Sequence, residues 1–493
     1  MEIRIKESDI RILDSSSNRR LFIIDRFFEK FHRYFFCVQL FMLLSFLFLI
    51  IAPVYSNNPK STDTIFTNIL LLSQFLFWGV WYGGCLLSVI PFGRLWCGML
   101  CPLGAFTQWI GKFGFKRKIP SWMKSEIWLI LMFTIVTILG QTLDVRDDPW
   151  GMIKLFGLIF LLAIIIAFIY GQNGGRPWCR YFCPIGKILG VISRLSFIHI
   201  APNRGIKPLP ANKEYFIQGR LCPTDYNLPY KVSTNNCITC GKCISTQQKA
   251  GLGTYFRFPG AELTNVLDRD PNWSEVAFVL LAPGLAAGGF LWLILHQYQL
   301  FRDYIATFLI DHNIMWPFNS APWILSSQTW NQNFNWLDVF TISIYMLLYG
   351  LVIALISSIL IAVASLVARS SQLNFRKTFY ILTYQFTPVV MLTIVIGLCG
   401  KFFEVMQTDF GLMQSTSDTI KATLFLISII WSVLLLYKVI RKIPNLNVIK
   451  VTFIGCMLFI NFVVISCIWW PAIFNKTYVS DVEKIRQHIV IPQ

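Results

Sequence analysis

Gly93-Arg94-Leu95-Trp96-Cys97-Gly98-Met99-Leu100-Cys101-Pro102-Leu103-Gly104 returns 82 residues later as Gly175-Arg176-Pro177-Trp178-Cys179-Arg180-Tyr181-Phe182-Cys183-Pro184-Ile185-Gly186. Each copy closes a long apolar run and sets two cysteines four residues apart, with proline directly after the second. If the preceding helix continues through the motif, residues i and i+4 share one face and each copy presents its thiols together. Two such halves on one face of a membrane would bring four thiolates to a single metal-cluster site.

The rest of the chain supplies the membrane. Of its 493 residues 55% are hydrophobic and only 14% charged, far from the composition of soluble domains. Apolar runs long enough to cross a bilayer begin near residues 35, 65, 125, 153, 272, 336, 379, 417 and 450. The expected fold is therefore an all-α polytopic membrane protein of about nine transmembrane helices. The run from Trp336 to Val367 exceeds one crossing and is expected to tilt or project.

A net charge of +18 would suggest nucleic acid in a soluble protein, but here the cations sort by loop. Arg94, Lys112, Lys116, Arg117, Lys118 and Lys124 fall between spans two and three, Arg369, Arg376 and Lys377 between six and seven, and Lys438, Arg441, Lys442 and Lys450 between eight and nine. The positive-inside rule puts these loops in the cytoplasm and the acidic alternates, such as Asp144 to Asp148, outside. Membrane lipid, not nucleic acid, is the expected surrounding. The first 34 residues lack the features of a cleaved signal, so the first span is expected to be retained.

The expected organisation is a cytoplasmic arm over 1–34, a four-span repeat unit over 35–186, a ferredoxin-like cytoplasmic segment over 187–271, a five-span half over 272–474 and a periplasmic tail over 475–493. Two crossings separate the motif copies, which places both on the cytoplasmic face.

The chain has thirteen cysteines, and the grouped ones fall on that reducing side, which favours metal ligation over disulfides. A third group, Cys237-Ile238-Thr239-Cys240-Gly241-Lys242-Cys243, has the spacing that opens a bacterial ferredoxin motif. The fourth ligand should stand at 247, which is glutamine, but Gly219-Arg220-Leu221-Cys222-Pro223 echoes the repeated motif upstream. Cys222 is the inferred replacement. Two sets of four result: Cys97, Cys101, Cys179 and Cys183, and Cys222, Cys237, Cys240 and Cys243.

Four soft thiolates suit a [4Fe-4S] cubane, and two sets suit two clusters. Zinc competes for four-cysteine sites, but the Cys-Pro steps and the Cys-x2-Cys-x2-Cys loop favour iron–sulfur. Arg94, Arg176, Arg180 and Arg220 are expected to offset the cluster charge, and Gly98, Gly104, Gly186 and Gly241 to let backbone amides approach sulfur. Cys37, Cys85, Cys399, Cys456 and Cys467 read as small buried apolar residues. The five-span half has no cysteine pair and no histidine pair for haem. Pro283, among Gly284, Ala286, Ala287, Gly288 and Gly289, predicts close helix packing there.

The repeated Gly-Arg-x-Trp-Cys-x3-Cys-Pro-x-Gly motif followed by a ferredoxin-like loop resembles the NapH/NosR-type membrane polyferredoxins, including CcoG-like proteins, over about residues 35–270. The resemblance implies a bacterial inner-membrane protein that moves electrons between the quinol pool or a cytoplasmic donor and a membrane or periplasmic acceptor, with a redox partner protein. The chain departs from the family in having one ferredoxin-like loop, no flavin-binding domain and an added five-span half. That half keeps open a second reading, a permease or metal (copper) maturation factor with accessory clusters. Clusters on one face leave a membrane thickness to cross, so a quinone between the spans or a partner subunit is expected to fill the gap.

Overall fold

The structure, a computed structural model, describes residues 19–57, 59–60, 62–171, 175–202, 222–226, 231, 233–245, 252–264, 272–326, 328–329, 332–369, 373–444 and 446–474. It is a mostly helical membrane protein. Phe22–Tyr55, Ile69–Phe92, Pro149–Tyr170, Trp273–Ile294, Trp336–Val367, Gln414–Ile440 and Val448–Phe474 are long and apolar enough to cross a bilayer.

These are seven full spans among the described residues, where nine were expected. The other two runs are helical but different in kind. Trp128–Thr142 has 15 residues, a rise of about 22 Å against a hydrocarbon core of about 30 Å. Phe375–Tyr384 and Thr387–Leu398 are bent by 41° at a short break. Pro388 opens the second of these pieces; it lacks the N–H that would have continued the ladder, so the helix restarts there. The first helix starts at Phe22, ahead of the apolar run.

Three strands cap the bundle on the motif face. Arg19–Arg20 and Ile198–Pro202 pair antiparallel with the two edges of Leu252–Phe256, in the register Arg20↔Tyr255, Ile198↔Phe256 and Pro202↔Leu252. Helix Phe22–Phe31 is locked to this sheet: Asp25 Oδ1 accepts the Thr254 N–H at 2.8 Å, while Oδ2 takes Arg20 at 3.0 Å. That grip turns Phe28 inward, to 1% exposure.

Helix Trp273–Ile294 organises the second half. A Cβ at Gly284 would lie 2.7 Å from the Tyr349 carbonyl, and one at Gly288 3.1 Å from Met346 Cα, so the small residues do set the approach of Trp336–Val367. Pro283 breaks the ladder within this helix, and Trp469 Nε1 donates to the Pro283 carbonyl at 3.3 Å.

Candidate metal centre

The helix does not run on through either motif. After the turn Trp96–Leu100, Cys101 is extended at φ −68, ψ 115 and becomes the N-cap of helix Pro102–Ile110. Cys183, at φ −58, ψ 114, caps Pro184–Ile192 in the same way. The cause is proline, which disfavours helical backbone in the residue before it and is at home in the first helical position. Cys-Pro-x-Gly is therefore N-cap, N1 and N3, and the sulfurs accept the N–H groups of Gly104 at 3.4 Å and of Gly186 at 3.2 Å. Each of these thiols sits at the positive end of a helix, where a thiolate is favoured.

The two motif arginines cross over. Arg94 is buried, with Nη2 3.9 Å from Cys97 Sγ and Nη1 donating to the Asn235 carbonyl, and it lies 3.1 Å from where a Cβ at Gly186 would stand. Arg176, 2% exposed, reaches back to the first motif. It donates to the Cys97 carbonyl at 2.7 Å, the Gly98 carbonyl at 3.4 Å and Gln108 Oε1 at 2.7 Å. A Cβ at Gly104 would lie 3.0 Å from its Nη1 and 3.5 Å from Cys179 Sγ. Each motif's glycine thus makes room for the other motif's arginine. Arg180 instead lies over the Tyr181 and Tyr226 rings, at 5.9 and 5.8 Å.

Burial, and then the neighbouring Cys97 and Cys179, push the Cys101 thiol up to about 12. Burial followed by Cys179, Cys101 and Cys97 raises Cys183 well above its ordinary value. Neighbouring thiols thus add to burial in opposing the ionisation of Cys101 and Cys183. Among the described residues no three His, Cys, Asp or Glu side chains are grouped as ligands of one metal ion.

Cys222, Cys237, Cys240 and Cys243 line a second, smaller pocket together with Lys231 and Gly241. Cys222 Sγ lies 3.3 Å from Thr224 Oγ1, which donates to the Asn236 carbonyl at 2.8 Å. Gly241, at φ +67, faces Phe28 so closely that a Cβ would fall 2.1 Å from its ring. Burial would raise the Cys237 thiol, but the Lys231 ammonium reverses this and holds it below its ordinary value. In the iron-free chain Cys237 is therefore expected to be alkylated by iodoacetamide at lower pH than Cys240, whose thiol burial and Cys222 push up to about 11. Lys231→Met should move the Cys237 profile to higher pH; an unchanged profile by peptide mass spectrometry would refute the pairing. Gly219, Arg220, Leu221 and Gln247 lie outside the described residues.

The two sets adjoin at Gly98. Its Cβ direction points at the Ile238 carbonyl, 2.3 Å away, and at the N and Cα of Cys240, each 2.8 Å away.

A cavity of about 1160 Å³ extends from the first set into the membrane. Its inner end is lined by Cys97, Cys101 and Cys183 with Trp81, Tyr82 and Trp96, and its far end by Asp144, Arg146, Asp147, Lys401 and Glu404. Lys401 bridges Asp147 at 2.6 Å and Glu404 at 3.1 Å, joining the two halves of the chain. Burial would raise the Asp147 carboxyl, but Lys401 and Arg146 hold it well below the carboxylate range.

Of the cysteines read as buried apolar residues, only Cys85 and Cys399 are buried; Cys37, Cys456 and Cys467 are exposed on the bundle surface. Cys85 lines the cavity beside the first set, a placement sequence reasoning missed. The available signal was Gly83-Gly84-Cys85, three small residues in a membrane helix. A Cβ at Gly83 would lie 2.8 Å from Cys399 Sγ, so this is a point of close approach.

The 4Fe-4S binding domain family matches residues 74–120 and 153–205, which hold the two motif copies. An uncharacterised protein of Methanocaldococcus jannaschii is 27% identical over 186 residues, covering 34% of this chain and 74% of its own. The putative electron transport protein YccM of Escherichia coli is 25% identical over 174 residues, 30% of this chain and 40% of its own. The ferredoxin-type protein NapH of Escherichia coli is 22% identical over 176 residues, 31% of this chain and 58% of its own. The chain thus spans about half the length of these last two relatives. No solved structure matches. The resemblance to ferredoxin-type membrane proteins holds: the chain matches a 4Fe-4S binding domain and is similar to electron-transport proteins.

Proposed function

We propose that the chain binds two [4Fe-4S] clusters, one on Cys97, Cys101, Cys179 and Cys183 and one on Cys222, Cys237, Cys240 and Cys243, and passes single electrons between a quinol or cytoplasmic donor and a membrane or periplasmic acceptor. The observation that carries this reading is that Gly98, next to Cys97, lies against the backbone of Ile238 and Cys240, in a loop whose Cys237, Cys240 and Cys243 line one pocket with Cys222. When bound, each cluster supplies a one-electron couple. The protein's part is to hold the thiols and aim the Gly104 and Gly186 amides and Arg94 at sulfur. Such donors favour the more negative reduced state.

The basic loops support a cytoplasmic placement of both clusters, in a bacterial inner membrane. The cavity supports a quinone as the mobile carrier. It is apolar, larger than most small-molecule sites, and its aromatic end meets the thiols of the first set. The same cavity is the one feature that favours a second reading, a permease or metal (copper) maturation factor. Bleaching of cluster absorbance by a quinol analogue separates the two, since a transported solute would leave the absorbance unchanged.

Anaerobic purification is expected to give about eight irons per chain, a broad visible absorption and two paramagnetic signals on reduction. Cys222→Ser should remove roughly half the iron and one of the signals. Zinc in place of iron would overturn the proposal.

A further inference from the structure

We infer that Glu275 is a positioning residue for both metal sites, and that holding those sites in register is what the C-terminal membrane half contributes. The inference rests on the reading of the eight cysteines as cluster ligands.

Glu275 stands at the third position of helix Trp273–Ile294, whose start is capped by Asn272 accepting the Ser274 N–H at 2.9 Å. An acid in a first turn is ordinary, because the helix dipole favours it there even when it faces water. This one does not face water: it is 3% exposed, and both oxygens are engaged. Oε1 accepts Asn235 Nδ2 at 2.8 Å. Oε2 accepts the Tyr384 hydroxyl at 2.9 Å and Arg194 Nη2 at 2.8 Å.

Asn235 transmits this in two directions. Its carbonyl receives Arg94 Nη1, and the same guanidinium lies against Cys97 Sγ. Two residues on stands Cys237; between them the Asn236 carbonyl takes the Thr224 hydroxyl that neighbours Cys222. The Asn235 peptide has no room to drift, because a Cβ at Gly190 would lie 2.5 Å from its carbonyl oxygen. The two preceding residues are fixed by a second buried carboxylate, with Glu262 accepting Ser233 Oγ at 2.7 Å and Thr234 Oγ1 at 2.8 Å. Glu262 is itself held by Arg257 at 2.6 Å and Arg194 at 3.3 Å.

One carboxylate from the second membrane half thus sets a cation against the first cysteine set and the backbone entering the second. Glu275 and Tyr384 both belong to residues 272–474, so the coupling crosses from that half to the clusters. A charge-assisted hydrogen bond to a fixed partner keeps Arg94 aimed; a loosened Asn235 lets it swing toward other acceptors and weakens its field at sulfur.

The test is a redox titration of the purified full chain, following each paramagnetic signal in wild type, Glu275→Gln, Arg94→Gln and the double variant. Arg94→Gln should change the reduced-to-oxidised ratio of the first cluster at fixed potential by about tenfold, a midpoint about 59 mV lower for one electron. Glu275→Gln should shift it the same way by a smaller factor with iron content retained, and the double variant should match Arg94→Gln alone, because the two act through one contact. If Glu275→Gln fails to load iron, Tyr384→Phe, which removes one hydrogen bond and no charge, should give the same smaller shift. Midpoints unmoved in both Glu275→Gln and Tyr384→Phe, or shifts that simply add in the double variant, would leave Glu275 a folding residue and overturn the inference. A wild-type chain without iron would instead sink the cluster reading itself.

Discussion

Gly98→Ala is expected to impair both clusters. The added methyl would stand 2.3 Å from the Ile238 carbonyl oxygen and 2.8 Å from the N and Cα of Cys240. All three are backbone atoms, so no rotamer change relieves the clash. Either the turn Trp96–Leu100 retreats, carrying Cys97, or the loop from Cys237 to Cys243 does, and in each case a ligand leaves its set. Overpacking in an ordinary core costs about 1–3 kcal/mol because neighbours yield; here the neighbours are the ligand backbone. Iron should fall from about eight per chain to less than half, with both reduced-state signals weakened. Gly157→Ala is the control: nothing lies within 4 Å of its Cβ direction. There the change should leave iron intact and raise helix stability by about 0.5–1 kcal/mol. A Gly98→Ala protein with full iron and both signals would show that the two loops are not in rigid contact.

The repeat and the third cysteine group were enough to divide eight cysteines into the two proposed sets of four, because soft-ligand chemistry is written in residue types and spacings. Conformation at these cysteines was less legible. A four-residue spacing suggests a helical face, yet Pro102 and Pro184 force the second cysteine of each pair out of the helix and into a cap. That rule was available in the sequence and outweighs the spacing. All nine apolar runs became helices, but hydropathy does not report that Trp128–Thr142 stops at 15 residues or that the chain bends 41° ahead of Pro388. Pairing was least legible of all. A repeat implies equal surroundings for Arg94 and Arg176 but not that each crosses into the other's half, and Glu275 looks like any acid at a helix start. Such partners lie 40 to 141 residues apart in the chain, beyond any local pattern.

Arg176→Gln is the other change expected to have a large effect, and it should act on the first site before the second. The guanidinium satisfies the Cys97 carbonyl, the Gly98 carbonyl and Gln108 Oε1 in a site 2% exposed. Glutamine is too short to reach them, and each buried acceptor left unpaired costs about 1–3 kcal/mol. The lost positive charge adds to this, since Arg176 also opposes the rise of the buried Cys101 thiol. The link from residue 176 to the second site is different in kind: its backbone N–H donates to the Pro223 carbonyl at 2.6 Å, and every substitution except proline keeps it. The signal of the first cluster should therefore be lost on mild heating while that of the second persists. Arg176→Lys keeps the charge but not the planar fork, so it should restore part of the iron and little of the thermal resistance. The measurement is iron per chain and both paramagnetic signals after a graded heat step. Equal loss of the two signals in Arg176→Gln would mean that the sites stand or fall together, with Gly98 rather than the arginine as the joint that holds them.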